Sequence, residues 1–147
     1  MKRNLFLIAI LLAAFAAAHG SAQAQNSEEA GVREAIGHYF QGHATGMGEH
    51  FRKAFHPDAK LFFIRDGKFS TWTLDEYVGR ASGKPAADEA QRKRSIESID
   101  ITGNAAIVKV VLDYPNTQFV DYMSMLKIDG QWKIVNKTFH AEPKKRQ

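Results

Sequence analysis

Tyr39 and Asp121 are the residues best suited to chemistry in this sequence. Asp121 lies between Val120 and Tyr122 in a stretch that is otherwise mostly apolar. A carboxyl group in a dry pocket holds its proton more tightly, which suits general acid or base work. The competing reading is a hydrogen-bonded structural acid. Tyr39 can offer its hydroxyl to a ligand, and its position on an apolar stripe is equally that of a core tyrosine. His140, near the end of the chain's last expected strand, is a third candidate for moving a proton, because strand ends can line a pocket mouth. Its alternative is an exposed terminal histidine. Phe63, Trp72 and Met123 add aromatic and soft apolar surface of the kind that holds a flat hydrophobic ligand.

His38, His43, His50, His56 and His140 raise the question of a metal site. No two of them have the i, i+4 spacing of a helical ligand pair, and the chain contains no cysteine. Neither metal nor cofactor is expected. Without cysteine, disulfides contribute nothing to stability.

The elements that must position these residues begin after an apparent export signal. Lys2 and Arg3 precede an apolar run from Leu5 to Ala18, followed by Gly20, Ser21 and Ala22-Gln23-Ala24. That is the layout of a cleavable signal peptide with cleavage after Ala24, in a run shorter than the roughly 20 apolar residues a membrane span needs. Residues 1–24 are therefore expected to be removed, leaving 123 of the 147 residues as one domain, 25–147, in the periplasm or secreted, with no membrane attachment. Loss of Lys2 and Arg3 lowers the formal charge from +4 to +2. The short basic runs at 92–94 and 144–146 do not form the broad basic face that nucleic acid requires.

Val32, Ala35, Ile36, Tyr39 and Phe40 recur at helical spacing, predicting a helix from about Ser27 to Gly42 that opens on an Asn26/Glu29 capping box. Met47, Phe51, Ala54 and Phe55 predict a shorter second helix ending near Pro57. Two runs around Asp66-Gly67 form a hairpin, and Thr73 with Glu76 caps a third helix reaching about Ala81. Residues 82–91 are the longest loop. From Arg92 onward, turns at Gly103-Asn104, Pro115-Asn116 and Asp129-Gly130 divide four antiparallel strands: 92–102, 105–114, 117–128 and 131–140. The last two carry apolar residues on both faces, with Trp132 and Ile134 set against Val135 and Phe139. Such a sheet needs cover on both sides: helices on one, and a second copy on the other.

This order resembles the nuclear transport factor 2-like superfamily. The segments Tyr39-Phe-Gln-Gly-His-Ala-Thr-Gly46, Phe55-His-Pro-Asp-Ala59 and Asp121 through Lys137 are most similar to its Putative lumazine-binding branch. The resemblance implies a cystatin-like α+β fold: a curved, mostly antiparallel sheet forming a cone around an apolar pocket, covered by about three helices from the N-terminal half. It also implies a homodimer formed through the outer sheet face. The superfamily includes ketosteroid isomerase, whose base position falls on Phe63 here. Phe63 cannot take a proton, so the steroid-isomerase mechanism is not expected.

The leading expectation is an exported domain that binds a small apolar or aromatic molecule between the first helix and the sheet, through Tyr39, Phe63, Trp72, Asp121 and Met123. An isomerase, cyclase or hydratase using Tyr39, Asp121 or His140 is the alternative, and a dimeric interaction module without a ligand is the third.

Overall fold

The structure is a computed structural model that describes residues 25–145. The expected signal segment, residues 1–24, lies outside the described residues. The chain divides into two compact units, Met1–Ala30 and Gly31–Gln147. Of the first, residues 25–30 are described and are helical. The second holds the sheet, the helical residues from Gly31 onward and the features discussed below.

Helix α1 covers residues 25–45, so Asn26 is already inside it and does not cap it. Val32, Ala35, Ile36 and Tyr39 form its buried stripe. Gly42, the predicted end of the helix, lies inside it and is a point of close approach. A Cβ there would stand 2.4 Å from the Phe51 ring. Helix α2 (Gly48–Ala54) packs Phe51 and Ala54 inward. It ends before Phe55, which is extended and begins strand β1 (Phe55–Arg65). Pro57 therefore sits within a strand and not at a helix end. It is tolerated because residues 56–59 fall in a break of register, where no ladder hydrogen bond asks for its missing N–H.

Asp66 and Gly67 both adopt positive φ, which two-residue hairpin turns require, and β2 (Lys68–Thr73) returns antiparallel to β1. Helix α3 (Leu74–Val78) opens on the expected capping box, with Glu76 N–H donating to Thr73 Oγ1 and Thr73 N–H donating to Glu76 Oε2. It stops short of Ala81. A 3₁₀ turn (Glu89–Gln91) then leads into β3 (Lys93–Thr102), β4 (Ala105–Asp113), β5 (Thr117–Ile128) and β6 (Gln131–Pro143).

The six strands form one sheet in the order β2-β1-β6-β5-β4-β3. Every neighbouring pair is antiparallel except β1 and β6, which run parallel. The fold is thus α+β, with a curved, unclosed sheet. Single extra residues at Glu97 in β3 and at Val135 in β6 interrupt the ladders. Such bulges sharpen local twist and bend the strand that carries them, here around the buried face. That face is apolar, built from residues such as Leu61, Val108, Val110, Met123, Met125 and Ile134.

Candidate functional site

A cavity of about 550 Å³ opens on the concave side of the sheet. Its walls come from the end of α1 (Gly42, His43), from α2 and α3 (Phe51, Tyr77), from β1 and β2 (Phe63, Trp72) and from β4–β6 (Leu112, Phe119, Phe139). Phe63 packs between Trp72 and Phe139, with ring centroids 4.4 and 4.8 Å apart. The loop after α3 contributes Ser82, Lys84 and Ala86. It is tied to the end of α1 by Gly83 N–H donating to the Gly46 carbonyl at 2.9 Å. Gly46 has φ +69°, and a Cβ on it would lie 2.2 Å from the Lys84 carbonyl oxygen, so only glycine fits this junction.

The charges around the cavity are of one sign. Arg65, Arg80, Lys84, Arg92 and Lys137 line it, and among the described residues no Asp or Glu does. Arg80 lies over the Trp72 ring at 4.4 Å and Arg65 over the same ring at 5.1 Å, which holds both guanidinium groups beside the aromatic wall. Arg65, Arg80 and Lys84 are exposed, whereas Lys137 is only 4 % exposed. The first three therefore form a rim and Lys137 lies in the floor.

Lys137 Nζ donates to Tyr39 Oη at 2.8 Å and to Asp121 Oδ1 at 3.3 Å. Tyr39 Oη in turn donates to Asp121 Oδ2 at 2.6 Å, a short bond of the kind a charged acceptor makes. The ammonium also stands over the rings of Phe139, Tyr39 and Tyr77 at 4.6, 5.0 and 5.2 Å. Burial pushes the Lys137 pKa below the ordinary lysine value, and the Asp121 carboxylate opposes that shift. Burial, then the Asp121 charge, raise both Tyr39 and Tyr77 well above the ordinary tyrosine value, so both phenols keep their protons. His43 is held well below its ordinary value by burial first and then by the positive charges of Lys137, Arg94 and Arg92. It is neutral near pH 7 and pairs with the Tyr77 hydroxyl across 3.0 Å through Nε2.

Both architecture and sequence have relatives. The family described as Putative lumazine-binding matches residues 27–140. This chain belongs to that family. A relative from Cladobotryum sp, the aldolase FrzH, is 31% identical over 108 residues, which span 72% of this chain and 85% of the relative. A nuclear transport factor 2-like protein from Shewanella baltica OS155 superposes with a TM-score of 0.73 at 25% identity, covering 80% of this chain and 96% of the other. Another, from Methylobacillus flagellatus KT, superposes at 0.70 with 31% identity, covering 79% and 93%.

Of the residues expected at the site, Phe63 and Trp72 line the cavity. Tyr39, Asp121 and Met123 are all 0 % exposed and lie beneath its surface. Tyr39 and Asp121 do meet, but their polar atoms face each other and Lys137. His140 is elsewhere. Its side chain is 72% exposed and 3.1 Å from Glu142, and it does not line the cavity. Among the described residues no three His, Asp or Glu side chains converge as a metal-binding group would.

Sequence reading missed the rim cations Arg65, Arg80 and Lys84 and, in the floor, Lys137. Strict alternation along β6 puts it on the face opposite Ile134, three residues earlier. The bulge at Val135 reverses that parity, because Met125 pairs with Ile134 while Ser124 already pairs with Asn136. It likewise brings Phe139 onto the same face as Trp132 and Ile134, correcting the expected opposition between those residues. For Lys137 its own strand offers no signal, since its neighbours Asn136 and Thr138 are polar and β6 carries another lysine at Lys133. Nothing local links Lys137 to Asp121, which lies 16 residues earlier on the neighbouring strand.

Removing one member of this buried trio leaves a charge without its partner. Lys137→Met is expected to lower stability by about 3–5 kcal/mol in urea unfolding, and Lys137→Met/Asp121→Leu to recover most of that loss. A double variant that loses as much as Lys137→Met and Asp121→Leu added together would show that the pair is not coupled.

The unfolded chain takes up a proton at His43 near its ordinary value of 6.5 and the folded chain does so only at lower pH. Below that value the unfolded state therefore binds more protons, and stability falls on acidification by up to about 1.4 kcal/mol per pH unit. His43→Gln is expected to flatten this limb when urea midpoints are compared across pH 4–7.

Proposed function

We propose that this chain is an exported small-molecule-binding domain whose cavity takes a flat, aromatic, anionic compound. The carrying observation is the lining itself: aromatic walls under a rim of Arg65, Arg80 and Lys84, with no acidic side chain among the described lining residues. A volume of about 550 Å³ lies within the usual size range for small-molecule sites. Cations on an aromatic wall favour a carboxylate or other anion attached to a ring, and disfavour a cationic ligand. The family's description as lumazine-binding supports a flat ring ligand.

A second reading, an enzyme acting on a carbonyl compound, is favoured by the amine of Lys137 in the floor and by the relationship to an aldolase. In this reading the anion-binding rim orients the substrate and the buried trio acts on it.

The two readings share one binding test, using 4-methylbenzoate as the probe and Trp72 fluorescence as the signal. Saturable quenching is expected, weakened about tenfold, or about 1.4 kcal/mol, in Arg65→Gln/Arg80→Gln. The neutral 4-methylbenzyl alcohol should be indifferent to those substitutions. Equal binding of acid and alcohol to the unaltered protein would remove the anionic part of the proposal.

Export and assembly belong to the same proposal. Ile107, Tyr122 and Leu126 are 51%, 50% and 42% exposed on β4 and β5, an apolar surface suited to burial against a second copy. Native mass spectrometry of protein recovered from outside the cytoplasm is expected to give a dimer of chains beginning at Gln25. A monomer at every concentration, or a chain that keeps its first 24 residues, would overturn the corresponding part.

A further inference from the structure

We propose that Lys137 Nζ is a nucleophile that forms an imine with the carbonyl carbon of an aromatic, anionic aldehyde or ketone bound in the cavity. The inference rests on the cavity reading above and adds a covalent step to it. Three independent features of geometry converge on it. Among the described residues Lys137 is the one lining cation that is buried, whereas the rim residues Arg65, Arg80 and Lys84 are exposed. Its amine lies among aromatic faces, where a ring-bearing carbonyl compound would pack. Its partner Asp121 is fully buried at 3.3 Å, close enough to take and return a proton without exchange with solvent.

The same surroundings hold back surface chemistry and promote this one. An ammonium is not nucleophilic, and burial of Lys137 favours its neutral form. The step balances within the trio. The Lys137 ammonium passes a proton to the Asp121 carboxylate, and the freed lone pair attacks the carbonyl carbon, sending the C=O π electrons to oxygen. A proton moves from nitrogen to that oxygen, giving a neutral carbinolamine. Protonated Asp121 returns its proton to the carbinolamine hydroxyl, the C–O bond breaks, and water leaves. The product is a protonated imine of Lys137 beside an Asp121 carboxylate.

One positive charge on nitrogen is thus replaced by another, and the buried counter-charge is the same before and after. That conservation matters in a low-dielectric site, where creating or losing an unpaired charge would be costly. Tyr39 serves as a positioning residue. Its hydroxyl accepts from Lys137 and donates to Asp121, holding amine and carboxylate in register. A protonated imine withdraws electrons from the adjacent carbon, so the reactions it opens are formation or cleavage of the carbon–carbon bond next to the former carbonyl.

The test treats the mature protein with 4-formylbenzoate and sodium cyanoborohydride, which converts an imine into a stable secondary amine, and maps the modified lysines by peptide mass spectrometry. Binding of 4-methylbenzoate, which has no carbonyl, is followed in parallel by Trp72 fluorescence. Expected is an adduct concentrated on Lys137, suppressed by excess 4-methylbenzoate and lost in Lys137→Arg. Tyr39→Phe should slow its formation without moving it to another lysine.

If both benzoates bind saturably but the adducts fall only on exposed lysines, the imine is overturned while the cavity reading stands. If Lys137 is labelled but 4-methylbenzoate neither binds nor protects, the imine stands and the anion-binding reading falls. Absence of both overturns both. The mapping is made on the unaltered protein, so its outcome does not depend on whether Lys137→Arg folds.

Discussion

An ammonium group leaves water only where something else carries the opposite charge and accepts its hydrogen bonds, and Lys137 is held to that requirement. Asp121 supplies the charge and Tyr39 a second acceptor, while aromatic faces cover much of the remainder. The three residues come from β6, β5 and α1. Each of these elements must therefore sit in one register for the arrangement to exist. Pairing of Tyr122 with Thr138 fixes the two strands in the relevant segment, and the stripe from Val32 to Tyr39 fixes the helix against them. A slip of one residue in either strand would carry a charge to the wrong face, so the trio and the fold select the same packing.

Curvature follows from a second constraint. A flat sheet would leave no room beneath α1–α3, whereas the extra residues at Glu97 and Val135 bend the strands around their buried side. The cavity fills the space left where α1 ends, and Gly46 ties that end to the loop carrying Lys84. Its polarity is graded. Exposed guanidinium groups stand on the aromatic wall at the rim, and a buried amine lies in the floor.

Binding and catalysis are not competing designs in such a site. Rim cations that hold an anionic ring would orient whatever functional group it carries toward the floor, and positioning of this kind is a large part of what an enzyme supplies. The absence of an acid among the described lining residues separates this cavity from one built around a carboxylate base. Asp121 does not line the cavity itself and is joined to its floor by the hydrogen bond from Lys137.

Most of the architecture could be read from local patterns. Asp66-Gly67 and Asp129-Gly130 set hairpins because few other pairs accept positive φ, and Thr73 and Glu76 cap a helix through bonds three residues apart. The same logic made Tyr39 and Asp121 conspicuous, since each is a polar group in an apolar run. Tertiary structure decided what they contact. Their partner Lys137 is 98 residues from Tyr39 and 16 from Asp121, and it reaches them only because one unpaired residue at Val135 turns the rest of β6 over. Bulges depend on how neighbouring strands pair and curve, which no window of a single strand contains. The sequence by itself therefore determined the elements, their turns and which residues were out of place. Only the packed sheet decided which face each one occupies, and so which of them share a site.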